Sequence, residues 1–220
     1  MPEPINAQPV RSLPQFRWNA TANRYIGANG RFVSQSTIRA GLDSFITQTT
    51  RSMRGISQQL ISGELTLAQW QAEMMVLSKD ANLAGVALDR GGWHSMSQAD
   101  FGRAGQKIRG EYTFLDNFAS EIESGRQRLD GSLTRRAQLY GEQGRVSYYD
   151  SAEAAAKRDG FDEERSVLTP ADSCDECVTE DAKGWQRMGD MTPIGDRTCL
   201  SNCRCFVKYR RNSDGITRTV

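Results

Sequence analysis

The stretch TLAQWQAEMMVLSKDANLAGVALDRGG, residues 66–92, decides the fold class. Thr66 followed three residues later by Gln69 is a capping-box start, in which each side chain satisfies a backbone N–H of the other. Leu67, Trp70, Met74, Leu77, Ala81, Ala84 and Leu88 then recur at three- and four-residue steps, which sets them on one face of an α-helix. Gly91-Gly92 stops the run.

The same texture extends on both sides. Upstream, Ile38, Leu42, Phe45, Ile46, Met53, Ile56 and Leu60 mark a helix from Ser36 to Ser62-Gly63. Downstream, Ser97 with Asp100 starts a third run, carrying Phe101, Ala104, Ile108, Leu115, Phe118 and Ile122 to Gly125. Gly102, Gly105 and Gly110 weaken that run, because glycine costs about 1 kcal/mol against alanine inside a helix. A fourth, from Ser132 to Lys157, carries Leu133, Ala137, Tyr140, Val146 and Tyr149 and ends at Gly160. Four helices of roughly 20–28 residues joined by short Gly-containing loops predict an elongated helical bundle or hairpin array. The Met and aromatic positions on these faces read as core.

The flanks differ. Pro2, Pro4, Pro9 and Pro14 break any helix, and Arg24 to Val33 reads as two short strands around Asn29-Gly30. Residues 1–35 are therefore an extended arm with a hairpin that must rest on something to persist. After Gly160 the pattern changes again. Ser166 to Thr169 and Arg204 to Tyr209 read as short strands, with Gly184, Gly189, Pro193 and Gly195 as turn punctuation between them. The expectation is a mainly α protein in four parts: an arm (1–35), a helical body (36–160), a small cysteine-rich β unit (161–212) and a tail (213–220).

The chain has 220 residues, 38% hydrophobic and 25% charged, with a formal net charge of +1. That composition argues against wholesale disorder and against a global field drawing the chain to nucleic acid or anionic lipid. Both ends are mildly basic: Arg11, Arg17, Arg24 and Arg31 oppose only Glu3, and Lys208, Arg210, Arg211 and Arg218 oppose only Asp214. No apolar run approaches the roughly 18 residues of a spanning helix. The N-terminus lacks the basic and apolar regions of a signal peptide. The expected compartment is the cytoplasm, where disulfides are disfavoured.

All five cysteines fall between 174 and 205: Cys174 and Cys177 as Cys-Asp-Glu-Cys, then Cys199, Cys203 and Cys205 as Cys-Leu-Ser-Asn-Cys-Arg-Cys. The first pair has knuckle spacing, in which a tight turn lets two thiolates reach one tetrahedral ion. Cys203 and Cys205 share a face if their segment is extended. About 21 residues between the groups suit closure of a four-ligand site. So small a unit has little core, and metal binding supplies folding free energy. The spacing predicts a structural zinc ion held by four of Cys174, Cys177, Cys199, Cys203 and Cys205, with Cys174 and Cys177 in the set.

Three other readings compete. Disulfides leave one cysteine over and need an oxidising compartment. A redox Cys-x-x-Cys belongs at a helix start in a βαβ setting, and Asp175 and Glu176 between the thiols oppose thiolate formation. Catalytic zinc needs an open position with a nearby acid or base, while the single histidine, His94, lies far off in a Gly-rich loop. No Gly-Lys-Ser/Thr follows Gly189 or Gly195 to make a phosphate loop. Acid pairs such as Glu163-Glu164 and Glu121/Glu123 read as solvated faces.

The C-terminal unit resembles the Mu F-like minor head proteins, or head morphogenesis proteins, of tailed bacteriophages. Their closing motif is Cys-x-x-Cys, a Gly with turn residues, then His-Pro-x-Cys-Arg-Cys running into a strand. Cys174 to Cys177 matches its first element, Gly184-Trp185 the middle, and Asn202-Cys203-Arg204-Cys205-Phe206 the last. Cys199-Leu200 departs from it, standing where the family has His-Pro, and the exchange keeps a metal-competent side chain there. The match covers residues 165–210, and the phrase from Tyr25 to Ser34 is similar to one found in many phage structural proteins. The resemblance implies a non-enzymatic structural component of the virion near the portal, made in the host cytoplasm. It would act in head assembly or in DNA packaging and delivery, as part of an oligomer. Its partners would be other capsid, portal or neck proteins and, through the basic termini, packaged DNA, with no membrane involved. The rival expectation is a cytoplasmic zinc-ribbon protein whose Lys208, Arg210 and Arg211 meet nucleic-acid phosphates.

Overall fold

The computed structural model describes residues 10, 13–19, 21–22, 24–169 and 173–220. Four long helices form the body: α1 (Gln35–Ser62), α2 (Leu67–Arg90), α3 (Gln98–Glu123) and α4 (Gly131–Arg158). Each starts at a side-chain cap. Ser34 and Asp130 accept from the backbone N–H groups of Thr37 and Ser132, and both capping boxes are formed, Thr66 with Gln69 and Ser97 with Asp100. Gly63 and Gly91 close α1 and α2 in the left-handed conformation, at φ 79° and 86°. Helix existence, order and approximate ends follow the sequence expectation.

What sets the bundle's geometry is a close approach of α2 to α4. A Cβ placed on Gly85 would lie 2.0 Å from the carbonyl oxygen of Gly144, and one on Gly144 would lie 2.8 Å from that of Ala81. Only hydrogen fits between these backbones. Gly85→Ala gains about 1 kcal/mol of helix propensity, but it meets backbone rather than a side chain that could swing away. The overpacking cost at the upper end of its usual range, about 3 kcal/mol, outweighs that gain. A net loss of about 2 kcal/mol is expected, read as a lower urea midpoint. An unchanged midpoint would mean that the helices separate freely.

The N-terminal segment is more structured than an extended arm. Strands β1 (Phe16–Asn19), β2 (Arg24–Gly27) and β3 (Phe32–Val33) form an antiparallel sheet, with Trp18 opposite Tyr25 and Tyr25 opposite Val33. The hairpin at Asn29-Gly30 is as expected, but β1 was not. It docks by main chain, since the Phe16 N–H donates to the Gly91 carbonyl at 2.9 Å. Phe16 and Tyr25 are buried against the helices. Residues 1–9 of the expected arm lie outside the described residues.

The C-terminal unit holds β4 (Glu163–Val167), α5 (Asp175–Ala182), β5 (Gln186–Arg187), β6 (Phe206–Arg211) and β7 (Ile216–Thr219). The strands make one antiparallel sheet in the order β5-β4-β6-β7. Two expectations need correcting. The segment set apart as a tail, 213–220, supplies an edge strand: Lys208 pairs with Thr219, and Val220 exchanges hydrogen bonds with Val207. The boundary drawn at 160/161 is not a boundary in the core either. Tyr148, Tyr149, Ala152 and Ala156 of α4 belong to the same buried cluster as Cys177, Cys203, Cys205, Val207, Tyr209 and Val220. The unit is too poor in large apolar residues to close its own interior, so it borrows one face of α4. Among the described residues, the far end of the bundle, around Met53, Trp70, Leu115, Phe118 and Leu133, has a separate core of its own.

Four aromatics outside the helix faces have partners within the chain. Trp93 packs edge-on against Phe101 at 5.0 Å, Trp18 against Tyr25 at 5.0 Å, Arg210 covers Trp185 at 4.5 Å, and Phe161 is buried. They are packing residues in this fold.

Candidate metal centre

Cys174 is the N-cap of α5 and Cys177 the third residue of that helix. The pair thus straddles a first helical turn, where side chains lean back toward the N-terminus and two sulfurs three residues apart converge. The tight turn expected of the knuckle spacing is the first turn of a helix. Across from it, Cys199 opens and Cys203 closes the 3₁₀ turn Leu200–Asn202, and Cys205 directly precedes β6. Tyr149 of α4 fixes this end by donating from its hydroxyl to the Cys205 carbonyl at 3.0 Å.

All five sequence-predicted cysteines meet. Cys177 Sγ lies 3.5 Å from Cys199 Sγ and 3.6 Å from Cys203 Sγ. Two triplets have their sulfurs within 4.8 Å of one another, Cys174/Cys177/Cys199 and Cys177/Cys203/Cys205, and Cys177 belongs to both. A tetrahedral ion with metal–sulfur bonds of about 2.3 Å separates its sulfurs by about 3.8 Å, close to the distances found. A disulfide needs about 2.05 Å, and all five thiols are free. Cys177, Cys203 and Cys205 are buried while Cys174 and Cys199 are half-exposed, so the group has a dry floor and an open side. The cluster is competent to hold a metal.

Without a cation this is a poor place for thiolates. Burial pushes the Cys177 thiol up and pushes Cys199 to about 12, in the latter case helped by neighbouring Cys177 and Cys174. The Cys203 thiol, then burial, raises Cys205. The Cys174 thiol is lowered. It makes no formal capping hydrogen bond, yet the nearby Cys177 amide is the largest influence drawing its pKa down. A divalent ion reverses this balance, because a coordinating thiol is deprotonated outright.

No protein family, characterised protein or solved structure matches this chain.

Leu200 has φ 48°, the one non-glycine in the left-handed region among the described residues, a conformation costing about 1–2 kcal/mol. Proline, with φ fixed near −65°, could not take this place. Outlying backbone of this kind persists where the surroundings hold it, and here the Leu200 N–H donates to the Arg197 carbonyl at 2.7 Å.

Three buried charges brace the site, and the sequence reading missed them. Glu164, expected on a solvated face, is buried and accepts from the N–H groups of Gly189 (2.7 Å) and Met191 (3.2 Å). Its neighbour Glu163 pairs with Arg210 across the sheet. Glu180 on α5 accepts from Lys183, Gln186 and Thr192, which ties the turn region to the helix. Arg197 is 0% exposed and donates to the Thr192 carbonyl (2.8 Å), the Ser166 hydroxyl (2.8 Å) and Cys177 Sγ (3.7 Å). Charged residues in a Gly/Pro-punctuated stretch look like surface until their partners arrive from other elements. His94 is exposed in a 3₁₀ turn distant in sequence from the cluster.

Proposed function

We propose that the cysteine cluster is a structural zinc centre, and that the chain is a non-enzymatic structural component of a tailed-phage head or neck. The observation that carries the first half is the convergence of the other four thiols around Cys177, two of them at near-tetrahedral spacing from it. All-sulfur tetrahedral sites take zinc or iron–sulfur clusters, and sulfurs 3.5–3.6 Å apart leave space for one ion between them. The second half rests on the Cys-x-x-Cys and Asn-Cys-Arg-Cys phrases set on a long-helix body. In that reading the helices are the rigid part and the centre pins the C-terminal unit to α4, so that the body keeps a fixed shape for neighbouring capsid, portal or neck subunits.

The basic termini contribute unequally to any contact with packaged DNA. Arg210 pairs with Glu163, Arg211 with Asp214, and Arg218 is buried against Asp89. Charges already paired release few counterions on meeting phosphate. Arg17, Arg24 and Arg31 on the N-terminal sheet stay exposed. DNA contact would therefore fall chiefly to that end, with Lys208, which forms no ion pair among the described residues, the remaining cation at the other.

Purification from infected cells tests the assembly reading. The protein should sediment with assembled heads and carry about one zinc per chain. A protein absent from particles that instead binds DNA with a steep salt dependence would replace this reading with the nucleic-acid one.

A further inference from the structure

We propose that Arg197 is the outer-sphere cation of the metal centre: a buried guanidinium that hydrogen-bonds Cys177 Sγ and offsets the negative charge of the metal–thiolate group. The inference rests on the zinc reading above and gives a role to a residue outside the ligand set.

Arg197 has no exposure to solvent. A guanidinium in that position is costly unless an anion lies beside it. Among the described residues none forms an ion pair with it. Its head group meets a backbone carbonyl (Thr192), a hydroxyl (Ser166) and the Cys177 sulfur, and its Nη2 has no hydrogen-bond partner. Glu176 feels its charge, but that half-buried carboxylate forms no ion pair with it and is committed to the N–H and hydroxyl of Thr198, at 2.7 and 2.8 Å. Neutral thiols would leave the cation uncompensated. A divalent ion with four thiolates carries a charge of −2, and Cys177, the sulfur shared by both triplets, is the one Arg197 touches. Cation and metal–thiolate group each supply what the other lacks.

Position supports this pairing. Ser166 lies on β4, Thr192 in the loop after β5, and Cys177 on α5, so the guanidinium ties three elements together at the floor of the site. An N–H···S bond to a ligating sulfur withdraws electron density from it, which stabilises the thiolate and tunes the metal. Arg197 is two residues before Cys199, so the turn carrying that ligand also carries its counter-ion.

The test uses the full chain, loaded with zinc for affinity and with cobalt(II) for spectroscopy. Arg197→Met keeps the volume and removes both charge and donor. Its zinc affinity, measured by chelator competition, should fall about 10–100-fold. The sulfur-to-cobalt charge-transfer band should move to lower energy as the sulfur becomes more electron-rich. Arg197→Lys, which keeps the charge, should lie between the two. Ser166→Ala, which frees the guanidinium without removing it, should shift the band with a smaller loss of affinity. If Arg197→Met does not fold, these last two variants carry the test. Wild-type affinity and an unmoved band in the folded variants would overturn the role of Arg197 and leave the centre standing. Wild-type protein that binds neither metal would overturn the centre itself.

Discussion

Cys177→Ser is expected to abolish metal binding and to unfold the C-terminal unit while the far end of the helical bundle survives. Cys177 belongs to both sulfur triplets, so no four-sulfur set built on either keeps its geometry without it. The free energy of structural zinc binding, about 10–16 kcal/mol in small domains, is comparable to the whole stability of an ordinary domain, about 5–15 kcal/mol. Losing it should release β4 to β7 together. The loss should also spread along α4, because Tyr149, Ala152 and Ala156 pack on the same cluster as the cysteines. The Met53–Trp70–Phe118 core is separate and should hold its helices. Elemental analysis should show no zinc, far-UV circular dichroism should keep most of its helical signal, and limited proteolysis should cut after residue 160. A variant that retains zinc and resists protease would show that Cys177 is not the hub.

Arg218→Met is the second large effect. Arg218, 2% exposed, donates to Asp89 Oδ1 at 3.0 Å and to the Tyr25 hydroxyl at 2.9 Å, and Ser151 completes the group by donating to Asp89 Oδ2 at 2.7 Å. Four parts of the chain meet there: β7, α2, the N-terminal sheet and α4. Removing the cation leaves Asp89 buried with only the looser Arg90 contact at 3.8 Å and the Ser151 hydroxyl beside it, which costs about 3 kcal/mol. The deficit should depend on pH in a definite direction. Burial already raises the Asp89 carboxyl above its ordinary value, and Arg218 is the largest influence opposing that rise. Without Arg218 the folded-state pKa climbs further above the unfolded one. The folded variant then holds a proton that the unfolded chain releases, so its stability falls as pH rises and recovers toward acid. Urea midpoints should differ most from wild type near neutral pH and less near pH 5, and Asp89→Asn should restore part of the loss in Arg218→Met. A pH-independent deficit would indicate that packing, not charge, is what Arg218 contributes.

By itself the sequence determined the helical body. Its signals are local: apolar residues three and four positions apart, Ser or Thr three residues before an acceptor, and glycine where a helix must turn left-handed. Each is complete within one or two turns, so Thr66 with Gln69 or Ser97 with Asp100 can be read without knowing the fold. Membership of the cysteine cluster was equally legible, because five thiols crowded into a segment otherwise poor in core need a shared partner. What only the tertiary structure decided is everything whose partner lies far along the chain. Strand β1 exists because the Gly91 carbonyl receives Phe16, and β7 because Val207 and Lys208 offer an edge. Glu164 read as a solvated charge, and nothing local marked Arg197 or Arg218 as buried, because burial of a charge is decided by its counterpart, and Asp89 is separated from Arg218 by 129 residues. The periodic pattern could reveal which side chains leave water, but not which buried ions would find each other, since that energy depends on a distance the sequence does not contain.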